Sequence, residues 1–112
     1  MLYTTTRSEA AYLAAQDVIA GGVNSGARGP QAGWVPGPPV VARGSGARLW
    51  DIDGNEYLDY LLALGPMIHG HAHPEITERV TRAIHEIGTM FALPYELEAE
   101  AARKIVSAVP SV

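Results

Sequence analysis

The sequence predicts an α/β arrangement in the order helix, glycine- and proline-rich loop, three-stranded antiparallel meander and two amphipathic helices. Three observations carry this. Asp53-Gly54-Asn55 stands between Leu49, Trp50 and Ile52 on one side and Tyr57, Leu58 and Tyr60 on the other. Asp-Gly-Asn tolerates the positive φ that a tight turn between twisted strands requires, and the flanks are the aromatic and branched residues strands favour. Residues 20–39 are broken by glycine and proline too often for either regular element. From residue 74 onward, apolar residues recur at helical spacing.

In chain order, Thr6-Arg7-Ser8-Glu9 has the spacing of a capping box. A helix is expected from there to Ile19, with Ala11, Ala14, Ala15 and Val18 on its packing side and Gly21 as its stop. After the loop, Val40-Val41 and residues 47–52 bracket a turn at Arg43-Gly44-Ser45-Gly46, and residues 56–60 supply the third strand. A sheet that small needs more protein packed against it. The run from Leu61 to Leu64 is apolar and unpunctuated until Gly65-Pro66 breaks it. Pro74 is placed to open a helix. Ile76, Val80, Ala83, Ile84 and Ile87 fall on one face, Glu78 and Arg82 pair on the other, and Gly88 ends it. Met90 to Pro94 is a short loop. A last helix covers residues 96–109, with Leu97, Ala101, Ile105 and Ala108 on one face and Glu100, Arg103, Lys104 and Ser107 on the polar arc.

Composition excludes several classes. With 112 residues there is room for one domain at most. A hydrophobic fraction of 47% and a mean hydropathy of +0.04 are those of a globular chain rather than a disordered one. The net charge is −4 and the basic residues are scattered, so no nucleic-acid footprint is present. Absence of cysteine removes disulfides and thiolate chemistry. Arg7, Glu9, Gln16 and Asp17 interrupt what would be a signal peptide, and no run reaches the length of a membrane span. No membrane or nucleic-acid partner is expected, and a cytoplasmic location is.

Few residues announce chemistry by themselves. Ser25 and, three residues on, Arg28 lie in a glycine-flanked loop, which alone reads as a solvated surface turn. Trp34 reads as a packed anchor. Asp53 reads as a turn former, and Asp51 and Asp59 fall on polar strand positions. His69, His71 and His73 alternate, and on an extended backbone three imidazoles on one face would suit a metal. Against that, helix initiation at Pro74 ends the extended geometry, and no carboxylate or cysteine cluster stands beside them.

Five stretches in order carry a resemblance: Gly21-Gly22-Val23-Asn24-Ser25; Asp51-x-Asp53-Gly54-Asn55-x-Tyr57-x-Asp59-Tyr60; Gly65-Pro66-Met67-Ile68; Gly70-His71-Ala72-His73-Pro74; and Ala92-x-Pro94-x-Glu96-Leu97-Glu98. Residues 8–112 resemble the N-terminal region of class III pyridoxal-phosphate-dependent aminotransferases, and within them the glutamate-1-semialdehyde 2,1-aminomutase branch. The resemblance implies the N-terminal part of a fold-type I transferase. On this reading residues 1–112 are part of the small domain and the lead-in to the cofactor domain, and the large pyridoxal-phosphate-binding domain lies outside them.

It also implies roles. Arg28, with Ser25, would bind a substrate carboxylate, a task suited to the planar guanidinium fork. Leu64 and Gly65 would wall the substrate pocket, Leu64 standing where the branch has tryptophan. Gly26 stands where the branch usually has proline, which loosens the loop that carries Arg28. Gly70, His71 and His73 take a structural or cofactor-approach role, and the loop at residues 90–94 approaches the active site near a homodimer interface. The cofactor is pyridoxal 5'-phosphate, whose anchoring lysine belongs to later sequence, so no catalytic or metal-binding residue is assigned here. The chain alone is therefore expected to be inactive, and the complete protein to be an aminomutase. The alternative is an aminotransferase for another amino acid or a β-amino acid. Two further classes are a metal-dependent hydrolase built on the three histidines and a noncatalytic interaction module.

Overall fold

The computed structural model describes residues 3–29, 33–34 and 37–111. The chain divides into two compact units, Met1–Ile76 and Thr77–Val112.

The first unit is built around a three-stranded antiparallel meander in the order β1 (Val41–Ser45), β2 (Arg48–Asp51), β3 (Glu56–Leu58). Opposite residues in the second hairpin are Arg48 and Leu58, Leu49 and Tyr57, and Trp50 and Glu56. Gly54 has φ 89°, which is why the Asp-Gly-Asn turn closes it. The first hairpin is tighter than expected: Arg43, Gly44 and Ser45 belong to β1, and the reversal is confined to Gly46 and Ala47. Gly44 pairs with Leu49 and carries the ladder through what composition marks as a turn.

Helix α1 (Thr6–Gln16) starts as expected but is capped differently. Thr5, not Thr6, is its first flanking residue, and the Thr5 hydroxyl bonds the Glu9 carboxylate rather than the backbone. The free amides of Arg7 and Ser8 instead donate to Asp53 Oδ1 and Oδ2, both at 2.8 Å. A carboxylate from the hairpin tip thus satisfies the helix N-terminus, where its charge also complements the helix dipole. The helix stops at Gln16, short of Ile19, and its packing side is Ser8 and Tyr12 rather than the alanine stripe. The Tyr12 ring decides this. A Cβ at Gly22 or Gly37 would lie 2.7 or 2.9 Å from it, so only glycine lets the loop close over the ring. Among the described residues, Tyr12 is the one large apolar side chain that is buried.

Polar groups hold the unit where apolar burial is thin. Asp51, 4% exposed, accepts from the Asn55 amide at 2.8 Å, Asn55 Nδ2 at 2.7 Å and Tyr57 Oη at 2.7 Å. It occupies an interior position rather than the polar strand position expected of it. Asn55 reaches back to Thr4, donating to its carbonyl at 2.6 Å and accepting from its amide at 3.3 Å, while Tyr3 stacks on Tyr57 with ring centroids 5.1 Å apart.

The second unit is helical. α2 (Pro74–Glu86) begins at the end of the first unit, and α3 (Glu96–Ala108) follows a loop in which Phe91 and Tyr95 meet edge to face at 5.7 Å. Gly88, at φ 119°, ends α2 as the sequence predicts. Ile76, Val80 and Ile84 line one face of α2, with Ile87 just past its end, and Leu97 and Ile105 one face of α3; all are exposed. No helix among the described residues is long and apolar enough to cross a membrane.

Candidate functional site

Between the loop that precedes β1 and the sheet lies a largely apolar groove of about 370 Å³. Trp34, Pro38, Val41, Tyr60 and Leu61 contribute its apolar walls, and Arg28 brings the one cation among its lining. Trp34 is 43% exposed, so it forms part of a wall rather than a packed anchor. Arg28 ends a single 3₁₀ turn, Gly26–Arg28, whose closing bond runs from its amide to the Ser25 carbonyl at 2.9 Å. Its position is thereby set by backbone, and its side chain is exposed. Ser25 is extended, exposed and makes no capping bond, so its hydroxyl is uncommitted to the turn.

Leu64 and Gly65 lie further along, beyond the groove lining. They end a turn in which Leu62, Ala63 and Leu64 have φ of 50°, 52° and 67°, with Gly65 at 117°. Left-handed geometry costs a non-glycine residue roughly 1–2 kcal/mol. Three in succession persist only where the surroundings over-determine them. The turn leaves Leu64 78% exposed. The structure therefore brings Arg28 to the groove with Tyr60 and Leu61, and presents Leu64-Gly65 on a separate, strained turn.

Asp59 links the two. Its Oδ1 accepts from the amides of Leu61 at 2.9 Å and Leu62 at 3.0 Å, and its Oδ2 lies 2.7 Å from His71 Nε2. The contact with His71, then the Leu62 amide, holds the Asp59 carboxyl below the usual carboxylate value. At Asp51, burial pushes upward, but hydrogen bonds from Tyr57 and Asn55 prevail and lower it. Burial and the bond to Asp51 push the Tyr57 hydroxyl up to about 12. These are groups fixed in one protonation state, suited to holding geometry rather than to moving protons.

The three histidines do not share a face. Positive φ at Gly70 and Ala72 breaks the alternation. His71 turns to Asp59, while the rings of His69 and His73 meet edge to face at 5.6 Å. Among the described residues, no group of three His, Cys, Asp or Glu side chains is placed to hold a metal. His73 Nδ1 is buried without a partner. Residue type alone gave no hint of the Asp59–His71 pair, because the partners are 12 residues apart and meet only through the turn.

Lys104 is the only lysine in the chain. Its side chain is 75% exposed and its ammonium lies 2.8 Å from Glu100. A Schiff-base lysine needs a sheltered or pKa-depressing environment, so this one does not fit pyridoxal phosphate. The groove offers one side of a binding site: its lining is largely apolar, its carboxylates Asp51 and Asp59 are engaged in bonds within the chain, and Arg28 is the group able to orient a small molecule that bears a carboxylate.

Residues 32–111 match the family profile of Aminotransferase class-III. Glutamate-1-semialdehyde 2,1-aminomutase of Chloroflexus aurantiacus is 48% identical over 96% of this chain and 24% of its own length. The protein of that name from Desulfitobacterium hafniense is 45% identical over the whole chain and 26% of its own length. Among solved structures, a transaminase with bound PLP superposes with a TM-score of 0.84 at 38% identity, over 95% of this chain and 24% of that one. An omega-transaminase from Sphaerobacter thermophilus gives 0.83 at 36%, over 93% and 23%. A glutamate-1-semialdehyde aminomutase from Pseudomonas aeruginosa gives 0.75 at 30%, over 91% and 22%. The fold is thus that of an N-terminal portion of the fold-type I, PLP-dependent transaminases. The chain belongs to the class III aminotransferase family, and it spans about a quarter of the length of the curated relatives it matches.

Proposed function

We propose that the chain is the substrate-side N-terminal segment of a PLP-dependent enzyme that moves an amino group on a small carboxylate-bearing substrate. The aminomutase reaction, glutamate-1-semialdehyde to 5-aminolevulinate, is the first reading. The observation that carries it is Arg28 at the edge of an apolar groove, held there by the Ser25–Arg28 turn. Identities of 48% and 45% with proteins named for that reaction support this choice. Arg28, assisted by Ser25, pairs with the carboxylate; Leu64 and Gly65, beyond the groove on their own turn, wall the substrate pocket of the complete enzyme. The cofactor supplies the carbanion-stabilising chemistry of the complete enzyme, a homodimer in this reading. Its lysine, pyridine-nitrogen acid and phosphate donors come from outside these residues.

A second reading is an aminotransferase acting on another amino acid or a β-amino acid. It is favoured by Leu64, smaller than the tryptophan of the aminomutase branch and lacking its N–H donor. The TM-scores support it too, at 0.84 and 0.83 for the transaminases against 0.75 for the aminomutase. A wider apolar wall admits a bulkier substrate.

One experiment addresses both. In the full-length protein, Arg28→Ala removes a charge-assisted pair worth roughly 1.5–3 kcal/mol, so kcat/KM should fall by about one to two decades. Unchanged kcat/KM removes the carboxylate role from Arg28. Measuring the unmodified protein on glutamate semialdehyde against β-amino and aromatic amino acids decides between the two substrates.

A further inference from the structure

We propose that Asp59 and His71 are positioning residues for the substrate wall: together they fasten the left-handed turn that carries Leu64 and Gly65 to the β1–β2 hairpin. This rests on the reading of Leu64 and Gly65 as pocket wall given above. The turn needs an external fastening. Leu62, Ala63 and Leu64 all hold positive φ, and none is a residue that adopts it readily. Its internal bonds, Leu64 amide to Leu61 carbonyl and Gly65 amide to Leu62 carbonyl, both at 2.9 Å, close the turn but do not place it. Placement comes from Asp59, whose Oδ1 takes the amides of Leu61 and Leu62 as the chain enters the turn.

The Asp59 backbone is tied to the hairpin by its amide, which donates to the Ala47 carbonyl at 2.9 Å; His71 sets its carboxylate, and is itself tied to the sheet in two ways. Its amide and carbonyl exchange bonds with Gly46 at 2.8 and 2.9 Å, extending the hairpin by one bridge. Its ring lies against Gly44, where a Cβ would come within 2.7 Å of it. Gly70 fits equally closely, since a Cβ there would lie 2.8 Å from the Gly46 carbonyl oxygen. The ring is thereby held at a fixed height over the hairpin with Nε2 aimed at Asp59. The contact is largely sheltered, with the Asp59 side chain 6% and the His71 side chain 20% exposed. Asp59 and Leu61 also line the groove that Arg28 edges, whereas His71 does not. A displacement of Asp59 therefore moves the groove wall and the turn together, with His71 acting only through it.

The test uses the full-length protein with His71→Ala and His71→Gln, reading segment-resolved hydrogen exchange and steady-state kinetics. Loss of the imidazole should speed exchange of the Leu61, Leu62, Leu64 and Gly65 amides by about tenfold or more, with the β2 amides unchanged. KM for the amino substrate should rise about tenfold while kcat stays within about twofold, because the wall and not the chemistry has moved. Glutamine, which retains a side-chain N–H donor, should restore both. Equal acceleration in the sheet and the turn, an unaltered turn, or a loosened turn with unchanged KM would each overturn the proposal. Should the unmodified protein move no amino group, the functional reading fails, and the exchange pattern still decides whether the pair fastens the turn.

Discussion

The two units of the chain are held by different means. In Met1–Ile76, three aspartates fasten segments far apart in sequence or backbone that would not stay put alone: Asp53 the start of α1, Asp51 the hairpin, Asp59 the left-handed turn. In Thr77–Val112, the ion pairs are local, Glu78 with Arg82 at 3.8 Å and Glu100 with Lys104 at 2.8 Å, and the apolar helix faces are exposed. Directional bonds from backbone amides to carboxylates specify one geometry, whereas i,i+4 pairs on solvated helices add little to any. The unit that places the candidate site is the one built from the more exacting interactions.

Breaking that comparison begins with Asp51. Asp51→Ala leaves the Asn55 and Tyr57 donors without their acceptor and should cost about 3 kcal/mol. Segment-resolved hydrogen exchange should show β2 and β3 losing protection while α3 keeps its own; equal loss in both would mean the units are not separately held. Gly70→Ala comes next. The added Cβ meets the Gly46 backbone and the residue sits at φ 79°, so a loss of roughly 1–3 kcal/mol is expected, seen as a lower denaturation midpoint.

The pH dependence follows from the signs of the shifts. Asp51 and Asp59 have folded-state values below the ordinary 3.8, so their contribution is complete above 3.8 and is lost as pH falls through their lowered values. Tyr57 is raised from 10.0 to about 12, so its contribution is present below 10.0 and lost as pH rises through about 12. Protection of the β strands should then be flat between those limits and fall outside them. The smallest effect is at the helices. Lys104→Met should leave unfolding unchanged within measurement. In the full-length protein, borohydride reduction with pyridoxal phosphate should place no stoichiometric label on residue 104; specific labelling of Lys104 would reverse its assignment as a solvated surface amine.

Legibility in the sequence follows the same division. Both helices of the second unit were readable, including the Pro74 start and the Gly88 stop, because local spacing and punctuation determine them. The Asp-Gly-Asn hairpin was readable for the same reason. What failed was whatever depends on a distant partner. The α1 cap sits one residue early because Asp53, not a threonine, satisfies its amides. The packing side of α1 follows the glycines around Tyr12, which no helical periodicity records. Residues 43–45 look like a turn but continue a strand, because Gly44 must lie flat under His71. The left-handed turn at residues 62–64 carries no glycine to announce it. Around the groove, the glycine- and proline-rich loop was legible as a loop, and the convergence of its Arg28 with Trp34, Tyr60 and Leu61 was not, since it depends on how the loop folds against the sheet.

The bond from the Arg7 amide to Asp53 spans 46 residues, and that from Thr4 to Asn55 spans 51. During synthesis, residues 4–7 are made well before the residues that clasp them. At roughly 5–20 residues per second, the Arg7 amide waits about 2 to 9 seconds for its acceptor. Through that interval α1 lacks its cap, and for most of it also the glycine at residue 37 that receives Tyr12; an 11-residue helix without tertiary support is marginal in water. Helix α1 is thus made early and secured late, and a nascent chain paused before residue 53 would hold it without its clasp.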